Sequence, residues 1–265
     1  MSAFRLKQSP RNSRCRVLFG RDTYVLAKAI FSRIPAKKFV SRASSQSACE
    51  ELPTQRSLTG KVARLVGSLG RPGGNATGVY FFLSDLAAKQ LGLLRELAPA
   101  ATHIGLLVNS DNANVEAVTR AMTTAASAIG VQIEVVRASD SQAINAAFAA
   151  FSQNKIGALV VGADPLFFNR RVQLATLAAR YAIPAIYTVR EFAEAGGLMS
   201  YGTSLTEAFR LMGIYAGRIL KGAKPSDLPV VQSTKFDFVI NLATAKSLGI
   251  EVPPGLSARA DEVIE

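Results

Sequence analysis

Catalysis needs partnered side chains, and this chain offers few that could meet. Paired carboxylates would have to be Asp164 with Glu191 or Glu194, and the latter two lie in REFAEAGG, a short helix with the composition of a solvated surface. His103 is the single histidine, set just before an apolar run. Cys15 and Cys49, the two cysteines, both fall in the first quarter of the chain, so the remainder lacks the members of a nucleophile–base pair or a metal-ligand cluster. No catalytic residue, metal or cofactor is expected, and the chain is not read as an enzyme. Binding is a different matter. Asn109, Ser110, Asp164, Tyr187 and Tyr201 sit at the ends of apolar runs and bring amide, hydroxyl, carboxylate and phenol groups.

Those residues act together only if the runs before them are strands of one sheet. IGLLVN (104–109), VQIEVVRA (131–138), GALVVGAD (157–164), PAIYTV (184–189) and GLMSYG (197–202) have strand character. Helical spacing separates them. Val115, Val118, Met122, Ala125 and Ile129 share one face before Gly130, and Ile144, Ala147, Phe148 and Phe151 recur after a Ser139–Gln142 capping pattern. Strand and helix in alternation give βαβ crossovers, hence an α/β, Rossmann-like lobe with a parallel sheet covered on both faces. Ligands of such sheets bind outside the carboxyl ends of the strands, where the polar residues fall. The glycine fingerprints of dinucleotide and P-loop sites are absent from the sequence.

After Gly202, Ser204 and Glu207 have the spacing of a capping box for a helix carrying Leu205, Phe209, Met212, Ala216 and Ile219. A proline-marked loop, the strand FDFVIN and the short helix LATAKSLG follow. These exceed what one lobe requires and look like pieces of a second.

The net charge of +12 is unevenly spread: residues 1–66 hold 14 Lys and Arg against 3 Asp and Glu, the remainder 17 against 16. A phosphate-binding face would have to lie in the first quarter, which has no recognisable nucleic-acid module. The N-terminus lacks the apolar core of a secretory signal, and no apolar run approaches the length of about 18 residues that spans a membrane.

The stretches SLGRPGGNATGVYFF, ALVVGADPLFFNRR and IPAIYTVREFAEAGGLMSYG, with the terminal RADEVIE, resemble the ABC-transporter substrate-binding proteins of the tryptophan/tyrosine-type family from about residue 64 to 265. The resemblance implies a type I periplasmic binding protein: two Rossmann-like lobes, three crossings, and a small organic solute such as an amino acid in the cleft between lobes. Permease subunits would be its partners, with neither nucleic acid nor stable membrane insertion, and the periplasm its location. In the family most of the first lobe and a signal precede RPGGNATG, where this sequence has an unrelated basic segment. The expectation is therefore a truncated or rearranged form, cytoplasmic as written. It has a basic segment over 1–63, disordered or irregular, a hinge and first-lobe remnant over 64–78, a complete lobe over 79–202, and over 203–265 elements that return to the incomplete lobe and a C-terminal crossing.

Under the resemblance, Gly73, Gly74 and Gly78 supply the backbone freedom of a hinge, and Asn75 and Thr77 reach the cleft from it. Asp164 either pairs with the amino group of an amino acid or caps the helix after Pro165. Asn109 serves as ligand contact or turn residue, and Tyr187 and Tyr201 as stacking partners or packing residues. Two other functions stay open: a remnant without ligand function, and a cytosolic ligand sensor whose basic N-terminal segment touches DNA. The sensor would need a helix-turn-helix that the spacing of Pro10, Pro35 and Pro53 opposes.

Overall fold

The apolar runs form strands because each is covered on both faces. The structure, a computed structural model, describes Arg16–Leu18, Lys28–Ile30, and residues 66–80 and 86–265. In chain order these form β1 (Arg16–Leu18), β2 (Lys28–Ile30), β3 (Val79–Tyr80), α1 (Leu86–Leu97), β4 (His103–Val108), α2 (Val115–Ala128), β5 (Gln132–Arg137) and α3 (Ser141–Gln153). Next come β6 (Ala158–Val161), α4 (Pro165–Asn169), α5 (Arg171–Arg180), β7 (Ala185–Tyr187), α6 (Glu191–Glu194), β8 (Met199–Thr203) and α7 (Leu205–Leu220). The chain closes with β9 (Val231–Gln232), β10 (Phe236–Asn241), α8 (Leu242–Ser247), α9 (Pro254–Ser257) and β11 (Glu262–Ile264). β1 and β2 pair antiparallel. The remainder of the segment expected over 1–63, including any leader, lies outside the described residues.

One seven-stranded sheet has the order β11-β10-β8-β7-β6-β4-β5. From β5 to β8 every neighbour is parallel; β10 runs antiparallel to β8, and β11 parallel to β10. This is the α/β, Rossmann-like architecture that the alternation of runs predicts. Side chains alternate between the two faces. Ile104, Leu106 and Val108 of β4 join Ala158 and Val160 of β6 under α1 and α2. Leu107, Leu159, Val161, Ala185 and Tyr187 join α3 and α5 on the other face. Gly105 faces that second layer, where a Cβ would stand 2.7 Å from the Ile156 side chain and 2.9 Å from Phe151, so the helix after β5 closes down on bare backbone.

The chain divides into two units. The larger holds Val79–Gly213 and Val231–Glu265; the smaller holds Ile214–Val230 and the described parts of Met1–Phe19 and Ala27–Gly78. Within the smaller unit, the Thr77 hydroxyl donates to the Leu228 carbonyl and the Tyr215 hydroxyl to the Pro229 carbonyl. The sequence reading ends the lobe at residue 202 and takes 203–265 as elements returning to the first lobe and a C-terminal crossing. β10 and β11 instead extend the larger unit's sheet, because β10 finds its pairing partner in β8. Two capping expectations also change. Asp140, not Ser139, caps α3, its carboxylate accepting from the Ala143 N–H at 2.7 Å. Glu207 pairs with Arg210, while the Ser204 N–H donates to the Lys235 carbonyl, so no reciprocal box forms.

Candidate functional site

The sheet's connectivity picks out one place on its carboxyl edge. From β4 the chain moves to β5 at the sheet edge, then returns to β6 on the opposite side of β4. Helices leave in opposite directions at such a reversal, opening a crevice over the carboxyl ends of the two central strands. Asn109 follows β4 directly, and Asp164 follows β6 after Gly162 and Ala163.

The structure brings these two predicted residues together. Asn109 Nδ2 donates to Asp164 Oδ1 at 2.9 Å, and Asn112 Nδ2 donates to Asp164 Oδ2 at 2.8 Å. The Leu166 N–H also donates to Asp164 Oδ1, at 2.8 Å, so Asp164 caps α4 as one of its two expected roles requires. Both carboxamide oxygens are used as well: Asn109 Oδ1 accepts from the Asp111 N–H and Asn112 Oδ1 from the Asn114 N–H. Beside this cluster Val108, Val115, Val118, Gly162 and Ala163 line a shallow hollow that is open to solvent and holds only about 10 Å³. Cavities that enclose drug-sized ligands run to roughly 300–1,000 Å³, so this shallow hollow does not by itself enclose a solute. Gly162 lies close against β4: a Cβ there would stand 3.1 Å from the Leu107 carbonyl oxygen.

The two tyrosines fall on opposite faces of the sheet. Tyr187 is fully buried with α3, α5 and α6, its ring stacked on Phe192 at 4.6 Å and 12°. Of the two roles expected for this ring, stacking on a ligand or packing, it takes the second, because Ala185 and Tyr187 point to the same layer of β7. Its hydroxyl has no partner among the described residues, and burial raises the phenol pKa far above its ordinary value. Tyr201 is half-buried against the α1 side, stacked on Phe236 at 6.0 Å and edge-on to Phe238. Burial, and then the nearby Asp261, raise its pKa.

In the smaller unit, Thr77 is 2% exposed and its hydroxyl is held by the Leu228 carbonyl at 2.6 Å, while Asn75 is exposed. Gly73 has φ of +69°, a backbone region that favours glycine, and the chain passes from the smaller to the larger unit at Gly78–Val79. Gly74 is exposed and Gly78 buried. Sequence reasoning missed Asn112 and Gln90. Asn112 lies three residues past Asn109 in the segment NSDNAN, whose composition suits a turn and N-cap; Gln90, 4% exposed on α1, donates to the Tyr201 carbonyl at 2.9 Å.

Residues 56–264 match the family ABC transporter substrate binding protein. The chain belongs to this family. Among ABC transporter substrate binding proteins it is similar to a tyrosine-binding protein of Clostridioides difficile (strain R20291), 28% identical over 189 residues, 71% of this chain and 54% of that one. The chain therefore spans about half the length of the curated relative it matches. Two solved structures are similar. One is the ABC domain in complex with L-Trp from Streptococcus pneumonia, with a TM-score of 0.68, 27% identity, and coverage of 77% of this chain and 70% of that one. The other is the ligand-free, open form of a substrate binding protein with adhesive properties from Clostridium difficile, with a TM-score of 0.57, 28% identity, and coverage of 77% and 67%. The type I periplasmic binding protein fold that the resemblance implies is the fold of this family member. Among the described residues, no helix is long and apolar enough to cross a membrane, and no group of three or more His, Cys, Asp or Glu could hold a metal.

Proposed function

We propose that the chain is the solute-binding component of an ABC importer, and that its solute is an amino acid with an aromatic side chain. One observation carries the reading: a polar cluster of Asn109, Asn112 and Asp164 stands beside an apolar hollow at the reversal of strand order. An amino acid needs both features, an orienting polar group for its charged end and apolar walls for its side chain. The tyrosine- and tryptophan-binding relatives support the aromatic class. Permease subunits are the partners this role calls for, and the periplasm its setting. Gly73, Gly74 and Gly78 give the chain its freedom where it enters the larger unit.

A thermal melt of the full chain with and without millimolar L-tryptophan, L-tyrosine and L-leucine tests the proposal. A site filled to about 100 times its dissociation constant gains roughly 2.7 kcal/mol, which moves the midpoint by a few degrees. The expected result is an upward shift with the aromatic pair that exceeds the shift with leucine. A cooperative melt that none of the three moves would overturn it.

A further inference from the structure

Asp164 has little left to offer a solute. A carboxylate has roughly four acceptor positions. Here Asn109, Asn112 and the Leu166 N–H fill three of them, in a residue 5% exposed. Asn112 is tied further, its oxygen to the Asn114 N–H and its amide to the Ala163 carbonyl. Every one of these bonds joins or stiffens the loops that leave β4 and β6, across the reversal point of the sheet.

We infer that Asp164 and Asn112 are positioning residues, a brace that fixes the Asn109 amide and the two loops walling the hollow, and that the solute meets Asn109 rather than the Asp164 carboxylate. The inference rests on the reading of a solute site at this edge. A charge-assisted, buried set of donors around one carboxylate holds its members more tightly than neutral pairs do. Asn109 Oδ1 is held by the Asp111 N–H and one of its amide hydrogens by Asp164, which leaves the other amide hydrogen to donate.

The test compares L-tryptophan with indole-3-propionate, which keeps the ring and carboxylate and lacks the ammonium. Calorimetry on the full chain, on D164N, on N112A and on the double variant reads both affinities. Each single variant is expected to weaken both ligands by the same factor, about tenfold. The double variant is expected to be no weaker than the worse single one, since the two residues act as one unit. If D164N weakens L-tryptophan and spares indole-3-propionate, Asp164 is the ammonium's counter-charge and the inference is overturned. It is equally overturned if the variants melt lower but bind as wild type. Should wild type bind neither ligand, the solute reading fails separately, and with it the inference as it concerns the solute. Hydrogen exchange at the Asp111 amide then decides whether the brace itself exists: faster exchange in D164N retains it, and unchanged exchange removes it.

Discussion

The Thr77 hydroxyl donates to the Leu228 carbonyl at 2.6 Å across 151 residues of sequence, with Thr77 only 2% exposed. A hydroxyl expected to reach toward a solute is instead a tie between two segments of the smaller unit. Removing the donor leaves a buried carbonyl unsatisfied, which costs about 1–3 kcal/mol. Thr77→Val is nearly isosteric and should lower the urea midpoint with an unchanged slope, whereas Thr77→Ser should keep most of the stability. Equal midpoints for wild type and Thr77→Val would show that the bond contributes nothing.

Two glycines should respond to alanine with opposite signs. A Cβ at Gly202 would stand 1.8 Å from the Thr188 carbonyl oxygen, so β8 cannot carry a side chain there without pushing the backbone of the residue after β7 aside. Gly202→Ala is expected to lose about 3 kcal/mol or more. Gly213 lies exposed inside α7 with nothing within 4 Å of a Cβ. Gly213→Ala should gain about 0.5–1 kcal/mol through helix propensity. Paired denaturation curves that move in the same direction would refute this account.

Asp140 begins α3 with extended backbone, φ of −151° and ψ of −179°, and accepts the Ala143 N–H. Asp140→Ala should cost about 1 kcal/mol, as loss of a side-chain cap does, and Ser139→Ala only a few tenths. A larger loss from Ser139→Ala in thermal melts would return the cap to the position drawn from sequence.

That cap illustrates what the sequence could carry. The helix itself was legible in the spacing of Ile144, Ala147, Phe148 and Phe151, but Ser139, Asp140 and Ser141 are all good cap formers, and only the backbone turn chooses between them. Strands β4 to β8 were legible because each apolar run is short and broken by polar or glycine residues. Where β10 belongs was not, since it depends on pairing Val239 with Ser200, and no local pattern records a remote partner. The same holds at the candidate site. Asn109 and Asp164 were visible as strand-end residues, yet their contact depends on β4 lying beside β6. Which of its two roles Tyr187 takes was not legible for a related reason: in a strand buried on both faces, alternation marks two layers without saying which is which.

The Tyr187 hydroxyl gives a prediction in pH. It is buried without a partner among the described residues, and burial raises its pKa far above the ordinary phenol value of about 10. Below pH 10 the phenol is protonated in folded and unfolded chains alike, and its titration has no effect on stability. Above pH 10 the unfolded chain releases this proton while the folded chain keeps it, so wild-type stability falls as pH rises. Tyr187→Phe removes both the titration and an unsatisfied hydroxyl. It should be at least as stable as wild type at pH 7, by up to about 1 kcal/mol, and its advantage should widen from pH 10 upward. The other tyrosines ionise in both proteins and cancel in the difference. Thermal melts of the two between pH 7 and 11 measure that difference directly; a gap that stays constant or closes above pH 10 would mean that the Tyr187 hydroxyl finds a hydrogen-bonding partner or solvent in the folded chain.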